Sequence, residues 1–106
     1  LKSTSNLKIR EKKMIGVVAT LKIKEGSGAD FEAVASQLVE KVNAHEDGVV
    51  YYDLYKEDDT TYVFLERYKD QEAQDAHGKT DYFRELGAKM GAFMSGAPEI
   101  KMLQSV

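Results

Sequence analysis

The chain has 106 residues, of which 42% are hydrophobic and 31% charged, with a net charge of −3 and no cysteine. That length and balance fit one globular domain, leave no room for a second, and rule out a disordered or fibrous chain. The absence of cysteine removes a disulfide framework, a thiolate metal site and a cysteine nucleophile together.

The charge is unevenly spread along the chain. Residues 1–13 (LKSTSNLKIREKK) hold five basic residues and one acidic residue, which leaves residues 14–106 with 10 basic against 17 acidic, a net of −7. Such an acidic body is a poor partner for nucleic acid, because phosphates are held by Lys and Arg. Residues 1–13 are therefore expected to be a flexible basic arm or a cloning remnant ahead of a domain spanning residues 14–106, with Met14 as its natural start. No apolar run approaches the roughly 18 residues that span a bilayer, and no signal-peptide core follows the basic start. The expectation is a soluble cytoplasmic protein with neither a membrane nor a nucleic-acid partner.

From Met14 to Lys24 the residues Ile15, Val17, Ala19, Leu21 and Ile23 fall on one face of an alternating pattern, which predicts a strand. Glu25-Gly26-Ser27-Gly28 reads as the turn that follows. Between Asp30 and Glu46 the apolar stripe Phe31, Val34, Ala35, Leu38, Val39 and Val42 has helical spacing. Ser27 with Asp30 is expected to form a capping box, and Gly48 to supply a left-handed residue after the helix. Val49–Lys56 and Thr61–Tyr68 then read as a hairpin joined by residues 57–60. In its second strand Tyr62, Phe64, Glu66 and Tyr68 share one face, an unusual place for a carboxylate.

Asp70 is placed to cap a helix from Gln71 with Ala73, Ala76 and His77 on its inner face. Gly78-Lys79-Thr80 interrupts it, and Thr80 caps a second segment carrying Phe83, Leu86, Met90 and Phe93 that ends by Ser95-Gly96-Ala97-Pro98. Gly87 and Gly91 leave room there for close packing or a ligand. Glu99–Val106 completes the set as a last strand. The order β-α-β-β-α-β predicts an α+β, ferredoxin-like fold: one antiparallel sheet with the helices on one face. The other sheet face also carries apolar residues, and a second copy of the chain is its natural cover, giving a homodimer through sheet packing.

With that order in place, the segments MIGVVATLKIKEG, HEDGVVYYDLY, YVFLERYKDQEAQDAH and DYF are identified as resembling the antibiotic biosynthesis monooxygenase domain, a family of dimeric α+β barrels. The resemblance spans Met14 to Val106 and is sharpest over Gly48–Tyr52, Glu66-Arg67-Tyr68, and Ala73 with His77. It implies a dimer and a choice of activities: cofactor-independent oxygenases of aromatic polyketides, quinol oxygenases, a small-molecule isomerase, and haem-degrading members. The haem-degrading members resemble this chain but carry Asn where Ala19 stands, Trp where His77 stands and a haem-ligating His where Gly87 stands, so that branch is set aside. Glu46-Asp47-Gly48 replaces the family's common Glu-Pro-Gly turn, and Tyr68 replaces a common Trp.

His77, on the sheet-facing side of its helix, is the candidate base, since imidazole titrates near neutral pH. The alternative is a structural histidine hydrogen-bonded to a sheet side chain. Glu66 is the expected partner that would orient the ring and stabilise its charged form, the alternative being an ion pair with a basic residue. Tyr52, Tyr62, Phe64, Tyr68, Phe83 and Phe93 are candidates to line an aromatic pocket, although aromatics at this spacing also make plain core. His45-Glu46-Asp47 reads as a solvated helix end and no metal site is expected. Gly26 and Gly28 lack the Lys and Ser or Thr of a phosphate loop. The reading that results is a monooxygenase acting without cofactor on a quinol or phenolic aromatic small molecule. An isomerase or lyase of a small oxygenated metabolite, or a non-catalytic small-molecule-binding dimer, are the alternatives.

Overall fold

The computed structural model describes residues 13–106, so the arm expected over residues 1–13 lies outside the described residues except for Lys13. Alternation builds the first strand, β1 (Ile15–Lys22), which buries Ile15, Val17, Ala19 and Leu21 on one face. It stops short of Lys24 because Ile23 leaves the ladder for an isolated bridge to Met94.

Helix α1 (Gly28–His45) buries Phe31, Ala35, Leu38 and Val42, the stripe that its spacing predicts. The expected capping box does not form: Ser27 makes no side-chain cap bond, and Asp30 instead lies in the first turn, where a negative charge suits the helix dipole. Nor is Gly48 left-handed, since Gly26, at φ 83°, is the only positive φ among the described residues. Gly48 is needed for space. A Cβ added there would lie 2.6 Å from the Ala73 Cβ, so the turn after α1 presses directly on the next helical segment.

Strands β2 (Val49–Asp58) and β3 (Thr61–Tyr68) form a hairpin tighter than expected, with Asp59 and Thr60 as its turn. The Asp58 carboxylate accepts from the Thr60 N–H at 3.0 Å and closes that turn. Helices α2 (Gln71–Gly78) and α3 (Asp81–Gly91) follow, then β4 (Glu99–Gln104). Two details differ from the sequence reading. Ala76 is exposed, because two turns of helix bring only Ala73 and His77, four residues apart, toward the sheet. Helix α3 ends at Gly91, so Phe93 packs from the turn beyond it.

The sheet runs β2-β3-β1-β4, antiparallel throughout, which is the ferredoxin-like order. One face closes against the helices, packing Tyr52, Tyr62, Phe64 and Tyr68 with Phe31, Leu38, Leu86 and Met90 in one core. Each large apolar side chain so buried contributes about 1.5–3 kcal/mol relative to exposure. On the opposite face, register places Tyr51, Arg67, Gly16 and Leu103 in one row and Tyr55, Val63, Thr20 and Glu99 in another. Tyr51, Tyr55 and Leu103 are exposed there. Among the described residues no helix is long and apolar enough to cross a membrane.

Candidate functional site

Capping delivers His77 to the core. The Asp70 carboxylate accepts from the Ala73 N–H at 2.9 Å, starting α2, and the helix brings His77 to its last turn with only 4% exposure. Thr80 secures the far side: its hydroxyl donates to the His77 carbonyl at 2.9 Å and accepts from the Phe83 N–H at 3.2 Å. One side chain therefore ends α2, begins α3 and fixes the spacing between His77 and Phe83.

Three rings from three elements surround the imidazole. Phe83 of α3 lies 4.7 Å from it between centroids, Tyr52 of β2 5.1 Å, and Tyr68 of β3 5.6 Å, all tilted. The edge left open to a polar group is occupied by Glu46, both of whose carboxylate oxygens lie 3.1 Å from Nδ1. Tyr82 donates its hydroxyl to the same carboxylate. A carboxylate on that edge is an acceptor for a hydrogen on Nδ1, the arrangement in which Nε2 of a neutral imidazole is left to accept.

This arrangement corrects the expected pairing. No hydrogen bond or ion pair joins Glu66 to His77; Glu66 accepts instead from the Tyr68 hydroxyl at 2.5 Å. Burial raises the Glu66 carboxyl from its ordinary 4.5 to about 7, Glu46 adds to the rise, and the Tyr68 hydrogen bond opposes it. Burial followed by the charge of Glu66 pushes the Tyr52 and Tyr68 hydroxyls well above the usual phenol range. Tyr82 rises to about 12 through burial and its bond to Glu46.

Glu46 is the residue that sequence reasoning missed. It was expected in a solvated helix end, yet its side chain is only 12% exposed. As the C-cap of α1 it has an extended backbone that turns the carboxylate away from the helix axis, while its N–H still donates to the Val42 carbonyl. The signal was present in the steric demand of Gly48, which draws this turn against α2.

Beside the imidazole box, between sheet and helices, lies a cleft of about 260 Å³ with an almost wholly apolar lining. Leu38, Tyr52, Phe64, Phe83, Met90 and Ile100 form most of its wall. Gly87 also faces it, and a Cβ added there meets nothing within 4 Å. Of the expected pocket residues, Tyr52, Phe64 and Phe83 thus line the cleft, and Tyr68 stands behind it against His77. Tyr62 does not join them. It stacks on Phe31 at 4.7 Å, donates to Glu32, and faces a separate groove along α1. Phe93 is half-buried against the core without lining the cleft.

Residues 14–89 match the family model described as antibiotic biosynthesis monooxygenase. YcnE of Bacillus subtilis (strain 168), a candidate monooxygenase, is 34% identical over 87 residues, which is 80% of this chain and 90% of its own. A crystal structure of a candidate antibiotic biosynthesis monooxygenase from Caulobacter crescentus CB15 superposes with a TM-score of 0.85 at 45% identity, covering 91% of this chain and 92% of its own. A conserved protein of Methanosarcina mazei Go1 shares the fold, with a TM-score of 0.83 and 24% identity over 94% of this chain and all of its own length.

Proposed function

Because the chain belongs to the antibiotic biosynthesis monooxygenase family, we propose that it is a cofactor-independent monooxygenase acting on a quinol or phenolic aromatic small molecule held in the apolar cleft. One observation carries this reading: Tyr52 and Phe83 are at once walls of the cleft and two of the three rings around His77. A flat ring in the cleft lies one aromatic layer from the imidazole, and rotation of the half-buried Phe83 lets the hydroxyl of that bound ring reach the imidazole.

The chemistry then balances without a further reagent beyond dioxygen. His77 takes the phenolic proton, and a ring carbon of the resulting phenolate gives its electrons to dioxygen and forms a C–O bond. The imidazolium returns its proton to the distal oxygen, making a hydroperoxide. Loss of the proton from that ring carbon then breaks the O–O bond and releases water. A ring C–H has become C=O: the substrate has lost four electrons, one oxygen atom is in the product and the other in water. A water-poor cleft suits this sequence because it protects the peroxide.

Oxygen uptake by metal-stripped protein over a panel of naphthols and quinols tests the proposal. One dioxygen consumed per quinone formed, falling to background in His77→Ala, is the expected result. Absence of uptake with every member, or uptake unchanged in His77→Ala, overturns it. The deep burial of His77 favours a second reading, a binding protein whose histidine only shapes the site. That reading predicts that panel members bind and are recovered unchanged in air.

The same proposal includes a homodimer, in which a second copy covers the open sheet face carrying Tyr51, Tyr55 and Leu103.

A further inference from the structure

The polar edge of the imidazole box has its own chemistry. Three aromatic rings pack on His77: Tyr52 from β2, Tyr68 from β3 and Phe83 from α3. Glu66, the buried carboxyl of β3, accepts from the Tyr68 hydroxyl. Among the described residues Glu46 is the one carboxylate hydrogen-bonded to the ring, and it also accepts from the Tyr82 hydroxyl. Its far side forms part of a surface groove with His45, Asp47, Gly48, Thr80 and Tyr82, so the carboxylate is the wall between that groove and the buried imidazole.

We propose that Glu46 is the positioning residue of His77: it holds the ring hydrogen on Nδ1, so that Nε2 is the base, and balances the positive charge when Nε2 takes a proton. Tyr82 completes the chain by fixing the rotamer of Glu46. The geometry supports the assignment in three ways. Both carboxylate oxygens are equidistant from Nδ1, the carboxylate is nearly withdrawn from solvent, and Gly48 against Ala73 locks the turn that carries it. A charge-assisted bond in such surroundings is stronger than one in water. The catalytic part of this inference rests on the oxygenase reading; the tautomer does not.

The experiment therefore has two arms. In the first, nitrogen-15 correlation spectra of the imidazoles of the full chain report which ring nitrogen carries hydrogen when His77 is neutral. The expected result is Nδ1–H in the wild-type protein and a shift to Nε2–H, or to a mixture, in Glu46→Gln. Tyr82→Phe, which keeps the carboxylate but removes the bond that fixes its rotamer, is expected to move the tautomer in the same direction as Glu46→Gln but less far. In the second arm, Glu46→Gln lowers kcat for oxygen uptake by about 10- to 100-fold with KM nearly unchanged. Wild-type protein with Nε2–H, or Glu46→Gln with unchanged tautomer and unchanged kcat, overturns the assignment. Should Glu46→Gln fail to fold, the wild-type spectrum alone decides. If wild-type protein turns over no substrate, the functional proposal falls while the tautomer still decides this one.

Discussion

Glu46 and His77 are 31 residues apart in the chain and 3.1 Å apart in the fold. One ends the first helix and the other ends the second, so neither α1 nor α2 could place the pair alone. What brings them together is the hairpin between them: Val49 of β2 pairs with Tyr68 at the end of β3, which returns the chain to the level of Glu46 just before α2 begins. The Lys69 N–H donates to the Gly48 carbonyl at 2.8 Å and ties the two crossings together.

Gly48→Ala tests that tie. The new methyl would sit 2.6 Å from the Ala73 Cβ, a distance that real atoms do not tolerate, so the turn or α2 has to move. The expected cost is about 1–3 kcal/mol, within the range for overpacked sites. Urea denaturation measures it, and Ala73→Gly in the same chain should recover most of the loss. A neutral Gly48→Ala would show that the turn is free to shift.

Gly87→Ala should act in the opposite direction on stability. Position 87 is in α3, faces the cleft and has open space where a Cβ would stand. Replacing a helical glycine by alanine is worth about 1 kcal/mol. The variant is therefore expected to melt at a higher temperature and to bind naphthols from the panel more weakly, by fluorescence titration. Higher stability with unchanged binding would separate Gly87 from the ligand site.

The raised pKa of Glu66 makes stability depend on pH. In the unfolded chain the carboxyl titrates near its ordinary 4.5, in the folded chain near 7, so between these values the folded state holds more protons. Its contribution is present in full below about pH 4.5 and is lost as pH rises through 7. Glu66→Gln keeps an acceptor for the Tyr68 hydroxyl but has no proton to lose. At pH 8 it should be more stable than the wild-type protein by on the order of 2 kcal/mol, a gap that closes toward pH 5. Denaturant midpoints across this range measure it. A gap independent of pH would refute the titration.

Leu65→Arg addresses the open sheet face. Leu65 of the inner strand β3 lies between Val18 of β1 and Asp53 of the edge strand β2, on the side away from the helices. In the proposed homodimer a charge there should leave the fold intact and separate the protomers, with the sedimentation mass falling by half and the circular dichroism spectrum unchanged. A dimer that survives places the contact elsewhere.

Much of the fold was legible because its elements are amphipathic at clean periods. Phe31, Ala35, Leu38 and Val42 mark one side of α1 at helical spacing, and Ile15, Val17, Ala19 and Leu21 mark one side of β1 at a period of two. The caps of α2 and α3 could be read from Asp70 and Thr80, since each acts on a backbone amide three residues away. His77 and most of its aromatic surroundings followed from these faces. Its polar partner did not. Glu66 shares a strand face with Tyr68 and looked correctly placed, but the Tyr68 hydroxyl intervenes and takes the carboxylate. Glu46 belongs to a charged helix end whose local pattern is that of solvated residues, and only the return of the hairpin buries it. Tyr62 alternates with Phe64 as a pocket residue should, yet two residues further along a strand carry it past the cleft to α1.

Ile100 gives the cleft a direction. It is a wall of the cleft and is still 52% exposed, because β4 is an edge strand that the helices only partly cover. The mouth therefore opens sideways, along the rim of the sheet, at right angles to the flat face assigned to the second copy. In the proposed dimeric oxygenase that rim stays open when two protomers join, so turnover per protomer is expected not to vary with protein concentration.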